Sequence, residues 1–129
     1  MKDVIETPKK DDCLKDNKSF PCFIPAQRML KLISKKWGIR LIYLLKDGKR
    51  IRYHKLRDML QKGWKKDRIS DATLSTRLNE FTKEGLLQRE VFPELPPKVE
   101  YFLTKKGENL ASALLPLIDW TIEACHGQN

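Results

Sequence analysis

Residues 69–87, ISDATLSTRLNEFTKEGLL, decide the fold of this chain because they predict a short helix with one apolar face. Ser70 is a residue type that caps helix N-termini, and Gly85 is the type that ends helices. Leu74, Leu78 and Phe81 recur at i, i+4 and i+7, which places them on one side of the helix, toward a core. The outer face then carries small polar groups and a few cations. Such a face fits a DNA groove, although an ordinary solvated helix surface is the alternative.

The segment before this helix supplies the other half of a helix-turn-helix motif. Residues 53–60 have apolar side chains at helical spacing, and residues 61–68 form a basic loop. This order makes residues 70–84 the recognition helix, with a connection that is longer than usual for the motif.

The segment after the helix predicts a β-hairpin. Residues 87–92 and part of 99–103 alternate apolar and polar side chains, and the proline-rich residues 93–98 join them. With a short third strand at residues 50–52, the set is a winged helix. We therefore expect a mainly α (α+β) fold, a winged helix-turn-helix with flanking dimerisation helices. Helices are predicted over residues 26–35, 37–45 and 105–124, the last capped by Thr104.

Length and composition favour one modest domain of 129 residues. We interpret residues 1–20 as a flexible tail and residues 21–129 as a single DNA-binding domain with a terminal dimerisation helix. No apolar run approaches the ~20 residues that span a bilayer, and the N-terminus has no signal peptide, so we expect a cytoplasmic protein without a membrane partner. No nucleophile with its base, phosphate loop or carboxylate pair is visible, so we expect neither an enzyme nor a cofactor.

The three cysteines, Cys13, Cys22 and Cys125, are an odd number without a CxxC pair. This pattern favours reduced thiols over a disulfide framework. A zinc site would need ligands from distant segments, so we expect no metal.

The net charge of +9 is concentrated in one part of the chain. Residues 21–68 contain fifteen basic and three acidic residues, whereas residues 69–129 contain six basic and nine acidic ones. Positive charge beside the predicted recognition helix is expected of a surface that binds a polyanion such as double-stranded DNA.

Residues 93–107, PELPPKVEYFLTKKG, give the clearest resemblance to a known family. Together with Lys36-Trp37, Leu74-Ser75 and Arg77-Leu78, they resemble the HxlR-type transcriptional regulators, winged-helix proteins related to the MarR group. The resemblance covers about residues 25–120. It implies a homodimer whose terminal helices pair and whose recognition helices enter successive major grooves of a pseudo-palindromic site. Interface candidates, whose alternative is packing within one subunit, are Met29, Leu32, Ile33, Leu110, Leu114, Leu117 and Ile118.

The resemblance also raises the question of a thiol sensor. Many family members have a cysteine immediately before the proline that opens the first core helix, but Ile24 stands at that position here. Cys22 lies two residues earlier and is a candidate redox sensor, and an inert thiol is the alternative. A small-molecule effector is not identified by the sequence.

We expect cations to bind phosphates and a few side chains to contact base edges. For base edges we favour Thr73, Ser75, Thr76 and Arg77, although Arg77 could instead reach a phosphate or pair with Glu80 or Asp71. Ser70 would present the helix N-terminus to a phosphate. The wing residues Arg89 and Lys98 are candidates for a phosphate or the minor groove. The phosphate candidates are Arg50, Arg52, Lys55, Lys65 and Lys66.

The predicted function is sequence-specific transcriptional regulation. The alternatives are an architectural DNA-binding protein without sequence preference and a protein-interaction module that does not bind DNA.

Overall fold

The structure is a computed structural model that describes residues 21–62 and 68–126. Residues 1–20, the predicted tail, lie outside the described residues. The chain divides into two compact units, Met1–Gly38 and Ile39–Asn129, so the expected single domain over residues 21–129 stays a prediction. The described elements are α1 (Ile24–Ile33), α2 (Gly38–Leu45), β1 (Ile51–Arg52), α3 (Tyr53–Gln61), α4 (Asp71–Lys83), β2 (Leu87–Phe92), β3 (Lys98–Leu103) and α5 (Lys105–His126).

The first unit contains α1, which begins and ends two residues before the predicted bounds. Pro25 lies in the first turn, where its fixed φ suits a helix and its missing N–H costs no hydrogen bond. The N–H of Ser34 donates to the carbonyl of Leu30 at 2.9 Å and closes the helix. Gly38 is required at the end of this unit, because a Cβ there would lie 2.4 Å from the carbonyl oxygen of Ile33.

The core of the second unit forms around α4. Leu74, Leu78 and Phe81 are each at most 1% exposed, which confirms the predicted apolar stripe. Burial of side chains of this size contributes roughly 1.5–3 kcal/mol each, so this face fixes the rotation of α4 about its axis. The other buried apolar side chains of the unit are Leu41, Ile42, Leu45, Ile51, Leu56, Leu60, Ile69, Leu86, Leu87, Tyr101, Leu103, Ala111 and Leu114.

The three strands form an antiparallel sheet in the order β1-β3-β2, as a winged helix requires. Leu87 lies opposite Leu103, and Arg89 lies opposite Tyr101. Because directly opposite residues project from the same face of a sheet, Arg89 shares the face of the buried Tyr101. The hairpin therefore has an inner face toward the core and an outer face toward solvent.

The start of α5 packs closely against the residues that follow α4. Gly85 has a φ of +78°, which a glycine adopts without strain, and the helix ends there as predicted. The N–H of Thr104 donates to the carbonyl of Leu86 at 3.0 Å, and its Oγ1 accepts from the N–H of Gly107 at 3.1 Å. The predicted cap at Thr104 is thus confirmed. A Cβ at Gly107 would lie 2.1 Å from the carbonyl oxygen of Leu86, so only glycine permits this approach.

The two halves of α5 differ in burial. Gly107, Ala111 and Leu114 are its buried residues, and they all precede residue 115. Beyond them, the described part of the helix buries no side chain but exposes large apolar ones. These are Leu117 at 50%, Trp120 at 64% and Ile122 at 51% exposure.

Candidate nucleic-acid interface

The N-terminus of α4 is capped by Ser70. Its Oγ accepts from the backbone N–H of Thr73 at 3.1 Å and donates to Thr73 Oγ1 at 3.0 Å. Both hydroxyls are therefore used in capping, and Thr73 is half-buried. Ser75 and Thr76 are exposed, and Thr76 Oγ1 donates to the carbonyl of Ala72 at 2.8 Å. Since a hydroxyl that donates still accepts, Ser75 and Thr76 are the hydroxyls best placed to meet an external partner.

Asp71 joins the two helices of the motif. Tyr53 Oη, from the first turn of α3, donates to Asp71 Oδ1 at 2.9 Å, and Arg57 NH1 lies 2.8 Å from the same oxygen. The hydrogen bond from Tyr53 and then that from Arg57 hold the pKa of Asp71 below its ordinary value of 3.8. A carboxylate in the first turn is also favoured by the helix dipole. These contacts fix the start of α4 against α3.

Arg77 adopts the carboxylate contact that was one of the arrangements predicted for it. Its NH1 lies 3.0 Å from Glu80 Oε1, one turn further along α4, and its side chain is 18% exposed. The guanidinium lies on the flank of the helix rather than at the centre of its outer face. Its contact with a base edge stays a prediction, and that contact competes with Glu80.

The inner face of the wing forms a cleft with the helix-turn-helix motif. The cleft has a volume of about 520 Å³, and Arg89 lines it together with Tyr53, Ser75, Val99 and Tyr101. Arg89 is exposed and has no hydrogen-bond or ion-pair partner within residues 21–62 and 68–126. Of the predicted wing cations, it is the one left available for an external anion.

The outer face of the wing holds a network of charges. Arg50 contacts Glu90, and its Nε lies 3.2 Å from Glu100 Oε1. The guanidinium carbon also lies 4.2 Å from the centre of the Phe102 ring. Because Glu90 and Glu100 are directly opposite on neighbouring strands, Arg50 offsets their repulsion. The predicted phosphate contact of Arg50 is untested, and these carboxylates compete with it.

Lys98 belongs to the same network. Its Nζ lies 3.2 Å from Glu100 Oε2 and 4.9 Å from the centre of the Phe92 ring. Burial raises the pKa of Glu100, but hydrogen bonds from Arg50 and Lys98 outweigh this and hold it below its ordinary value of 4.5. To contact a phosphate of DNA, Lys98 must give up its contact with the carboxylate of Glu100. The free energy gained from the phosphate is therefore smaller than it would be for an unpaired lysine.

Of the remaining predicted cations, Arg52 lies at the N-cap of α3 and lines the same cleft as Arg89. Lys55, in the first turn of α3, is exposed. Lys65 and Lys66 lie outside the described residues. The structure thus places Thr73, Ser75, Thr76 and Arg77 on α4 with Ser70 as its N-cap, and Ser75 lines the same cleft as Arg89.

The predicted interface side chains fall into two groups. Ile33 is 2% exposed and Leu114 is 6% exposed. The interface role of these two stays a prediction, and their burial within the chain leaves little apolar surface for a second subunit to cover. Leu117 is half-exposed, and the partly exposed members are Met29, Leu32, Leu110 and Ile118.

Cys22 is disulfide-bonded, so the expectation of reduced thiols is wrong for this residue. Cys125 is a free, exposed cysteine. No helix in the described ranges is long and apolar enough to cross a membrane. Nor does that part of the chain gather three or more histidine, cysteine or acidic side chains into a group that could hold a metal ion.

The family model described as HxlR-like helix-turn-helix matches residues 32–129. This chain belongs to the HxlR-like family. An uncharacterised HTH-type transcriptional regulator of Halalkalibacterium halodurans is 37% identical over 99 residues, which cover 77% of this chain and 82% of the relative. A MarR-family regulator from Enterococcus faecalis V583 has a TM-score of 0.71 at 32% identity, over 88% of this chain and 97% of that one. The redox regulator HypR in its oxidised form has a TM-score of 0.65 at 29% identity, over 77% of this chain and 95% of that one.

These comparisons confirm the winged helix-turn-helix fold and the resemblance stated from residues 93–107. The relatives of this HxlR-like protein are named transcriptional regulators rather than enzymes. Sequence reasoning missed the contacts of Asp71 with Tyr53 and Arg57. An acidic residue directly after a capping serine was a signal for a helix N-terminus, but its partners from α3 depend on tertiary structure.

Proposed function

We propose that this HxlR-like protein is a sequence-specific transcriptional regulator that binds a pseudo-palindromic DNA operator as a homodimer. In this proposal α4 is the recognition helix and enters the major groove. The hairpin of β2 and β3 is the wing, and its Arg89 neutralises a backbone phosphate beside the groove.

One observation carries the proposal. The rotation of α4 is fixed by the burial of Leu74, Leu78 and Phe81. The opposite face exposes Thr76, and Ser75 is exposed on its flank. Short hydroxyl side chains admit close approach to base edges and serve as donors or acceptors there. The guanidinium of Arg89, which has no partner within residues 21–62 and 68–126, lines the same cleft as Ser75. Groups for base edges and for phosphate are thus adjacent.

The homodimer is supported by the C-terminal half of α5. An exposed helix with Leu117, Trp120 and Ile122 at half exposure or more would be costly for a monomer in water. Pairing of two such helices buries these side chains and relates two copies of α4 by a two-fold axis. We expect half-sites spaced by one turn of DNA, about 10 bp.

The experiment is a selection of bound duplexes from a random pool, with the full chain at near-physiological salt. A pseudo-palindromic consensus with about 10 bp between half-site centres supports the proposal. Binding with little preference among duplexes would favour the architectural alternative, and an absence of salt-sensitive binding would favour a protein-interaction module.

Regulation through Cys22 is a second proposal, which its disulfide favours because the residue is then capable of redox change. We expect a reductant to change the affinity of the wild-type protein for the selected duplex and to leave the Cys22→Ser variant unaffected. Cys125→Ser is the matched control, since that thiol is already free. An equal response of wild type and Cys22→Ser to the reductant would refute this role.

A further inference from the structure

Thr76 lies at the centre of the exposed face of α4. By helical geometry it is on the side opposite Leu74, Leu78 and Phe81, whose burial fixes the rotation of the helix. Ala72, one turn earlier on the same face, is also exposed and has only a methyl side chain. A short hydroxyl beside a methyl group therefore forms a part of α4 that base edges can approach closely.

The hydroxyl hydrogen of Thr76 is already used within the helix. Thr76 Oγ1 donates to the backbone carbonyl oxygen of Ala72 at 2.8 Å. The direction of this hydrogen bond is fixed by chemistry, because a carbonyl oxygen has no hydrogen to donate. A hydroxyl has one hydrogen and two lone pairs, so Thr76 offers an outside partner only an acceptor.

The hydroxyls at the N-terminus of α4 differ from Thr76 in this respect. Ser70 Oγ accepts from the N–H of Thr73 at 3.1 Å and donates to Thr73 Oγ1 at 3.0 Å. Two hydroxyls joined by one hydrogen bond keep one hydrogen between them, and no acceptor within residues 21–62 and 68–126 takes it. This pair can therefore donate to an oxygen of a phosphate, whereas Thr76 in its observed hydrogen bond cannot.

Double-stranded DNA restricts the groups that an acceptor-only hydroxyl can contact. Phosphate oxygens only accept hydrogen bonds, and the major groove offers donors only as the N6 amino group of adenine and the N4 amino group of cytosine. We propose that Thr76 accepts a hydrogen bond from one of these amino groups and thereby selects adenine or cytosine over guanine or thymine at one position of each half-site. This assignment rests on the proposed function, in which α4 enters the major groove.

Thr76→Val removes the hydroxyl and keeps the shape of the side chain. The position is exposed, and the carbonyl of Ala72 keeps the backbone N–H that helical geometry gives it, so we expect the variant to fold. Thr82→Val is the matched control. Thr82 Oγ1 makes the same type of hydrogen bond, to the carbonyl of Leu78 at 2.6 Å, further along α4 and on a different side of the helix.

The measurement is the fluorescence anisotropy of the full chain on its selected duplex and on copies with one altered base in each half-site. Purine for adenine and 2-pyrimidinone for cytosine remove the amino group. 2-Aminopurine for guanine and 5-methyl-2-pyrimidinone for thymine remove the carbonyl oxygen. At one amino position, removal should lower the affinity of wild type and Thr82→Val about fivefold per half-site, the effect of one hydrogen bond, and should leave the affinity of Thr76→Val unchanged. Each analogue changes base pairing equally for all three proteins, so the difference between proteins isolates the contact.

The outcomes distinguish this inference from the proposed function. If Thr76→Val becomes insensitive to loss of a carbonyl oxygen rather than of an amino group, the inference is overturned, because Thr76 then donates. Equal sensitivity of Thr76→Val and wild type to every replacement also overturns it, while the selected consensus still supports sequence-specific binding. A wild-type protein without any preferred duplex overturns both.

Discussion

At the scale of single residues, the candidate interface separates cations that are available from cations that are already paired. Arg89 has no partner in the described part of the chain, whereas Arg77 contacts Glu80 and Lys98 contacts Glu100. Exposed ion pairs contribute only about 0–1 kcal/mol, so DNA can displace them. These ion pairs therefore reduce, but do not abolish, the contribution that Arg77 and Lys98 can make to DNA affinity.

Arg77→Ala tests the contribution of α4 to sequence choice. We expect it to lower affinity for the selected duplex about tenfold or more and to lower affinity for random duplex much less, because a base contact contributes roughly 1–3 kcal/mol of discrimination. Fluorescence anisotropy on both duplexes measures the two losses. Equal losses would reassign Arg77 to the DNA backbone.

Lys98→Ala provides the contrasting variant for this comparison. As a phosphate contact, Lys98 should affect both duplexes similarly and its removal should flatten the dependence of affinity on salt. Its contact with Glu100 should keep both losses small.

Asp71→Asn tests the link between α3 and α4 through pH. The pKa of Asp71 is lowered in the folded protein, first by the hydrogen bond from Tyr53 and then by that from Arg57. Because the pKa of Asp71 is lower in the folded protein than in the unfolded chain, the ionised carboxylate stabilises the fold. This stabilisation is complete above the pKa of the unfolded chain, near 3.8, and it disappears as the pH falls through the pKa of the folded protein. We expect urea unfolding to show that Asp71→Asn is less stable than the wild type at pH 7. The difference between their free energies of unfolding should narrow below about pH 4. A difference independent of pH would contradict this account; Asp119→Asn, on the exposed surface of α5, is the control.

At the scale of helices and strands, the sequence predicted most of the features that depend on residues close together in the chain. The apolar stripe of α4, its cap at Ser70 and its end at Gly85 could be predicted because each depends on residues within a few positions. The cap at Thr104 follows the same rule. The start of α1 was predicted two residues late because Ile24 and Pro25 gave no clear apolar period.

The candidate site was less predictable because its geometry depends on residues distant in sequence. Arg50 was expected to contact phosphate, but Glu90 and Glu100 meet it only once the strands pair. The cleft likewise forms only when the hairpin folds back toward α4, so no single segment encodes it. Burial of Leu114 could not be separated from interface packing by helical spacing, since both predict the same stripe.

Gly107→Ala tests the junction between α4 and α5. Alanine is normally up to about 1 kcal/mol better than glycine within a helix. Here its Cβ would lie 2.1 Å from the carbonyl oxygen of Leu86, which already accepts from Thr104, so the backbones must separate. We expect a net destabilisation of about 1–3 kcal/mol by urea unfolding. Ser112→Ala, at an exposed position of the same helix, should be neutral or slightly stabilising, and a stabilising Gly107→Ala would refute the close approach.

At the scale of the whole molecule, the proposed function requires two copies of the chain on one duplex. The C-terminal half of α5 exposes large apolar side chains, and in the proposed homodimer a second copy of the same helix would bury them. A dimer also doubles the number of phosphate contacts and makes them simultaneous, which raises affinity well above that of one subunit.

Leu117→Asp tests the proposed dimer. Leu117 is half-exposed in the single chain, so the substitution should cost little in folding but place a charge in the interface. We expect sedimentation velocity to show a monomer and anisotropy to show a large loss of affinity for the two-half-site duplex. Leu95→Asp makes the same change at the 99% exposed tip of the wing and should leave the dimer intact. A dimeric Leu117→Asp variant would contradict the assignment of this surface.

The most direct measurement is the affinity of the wild-type chain for its selected duplex and for a scrambled duplex of equal length, titrated across salt concentrations. The account predicts two chains per selected duplex, an affinity that falls with salt on both duplexes, and a preference for the selected one of about a thousandfold or more. Equal affinity for the two duplexes, or binding that does not respond to salt, would contradict the claim that α4 reads DNA sequence.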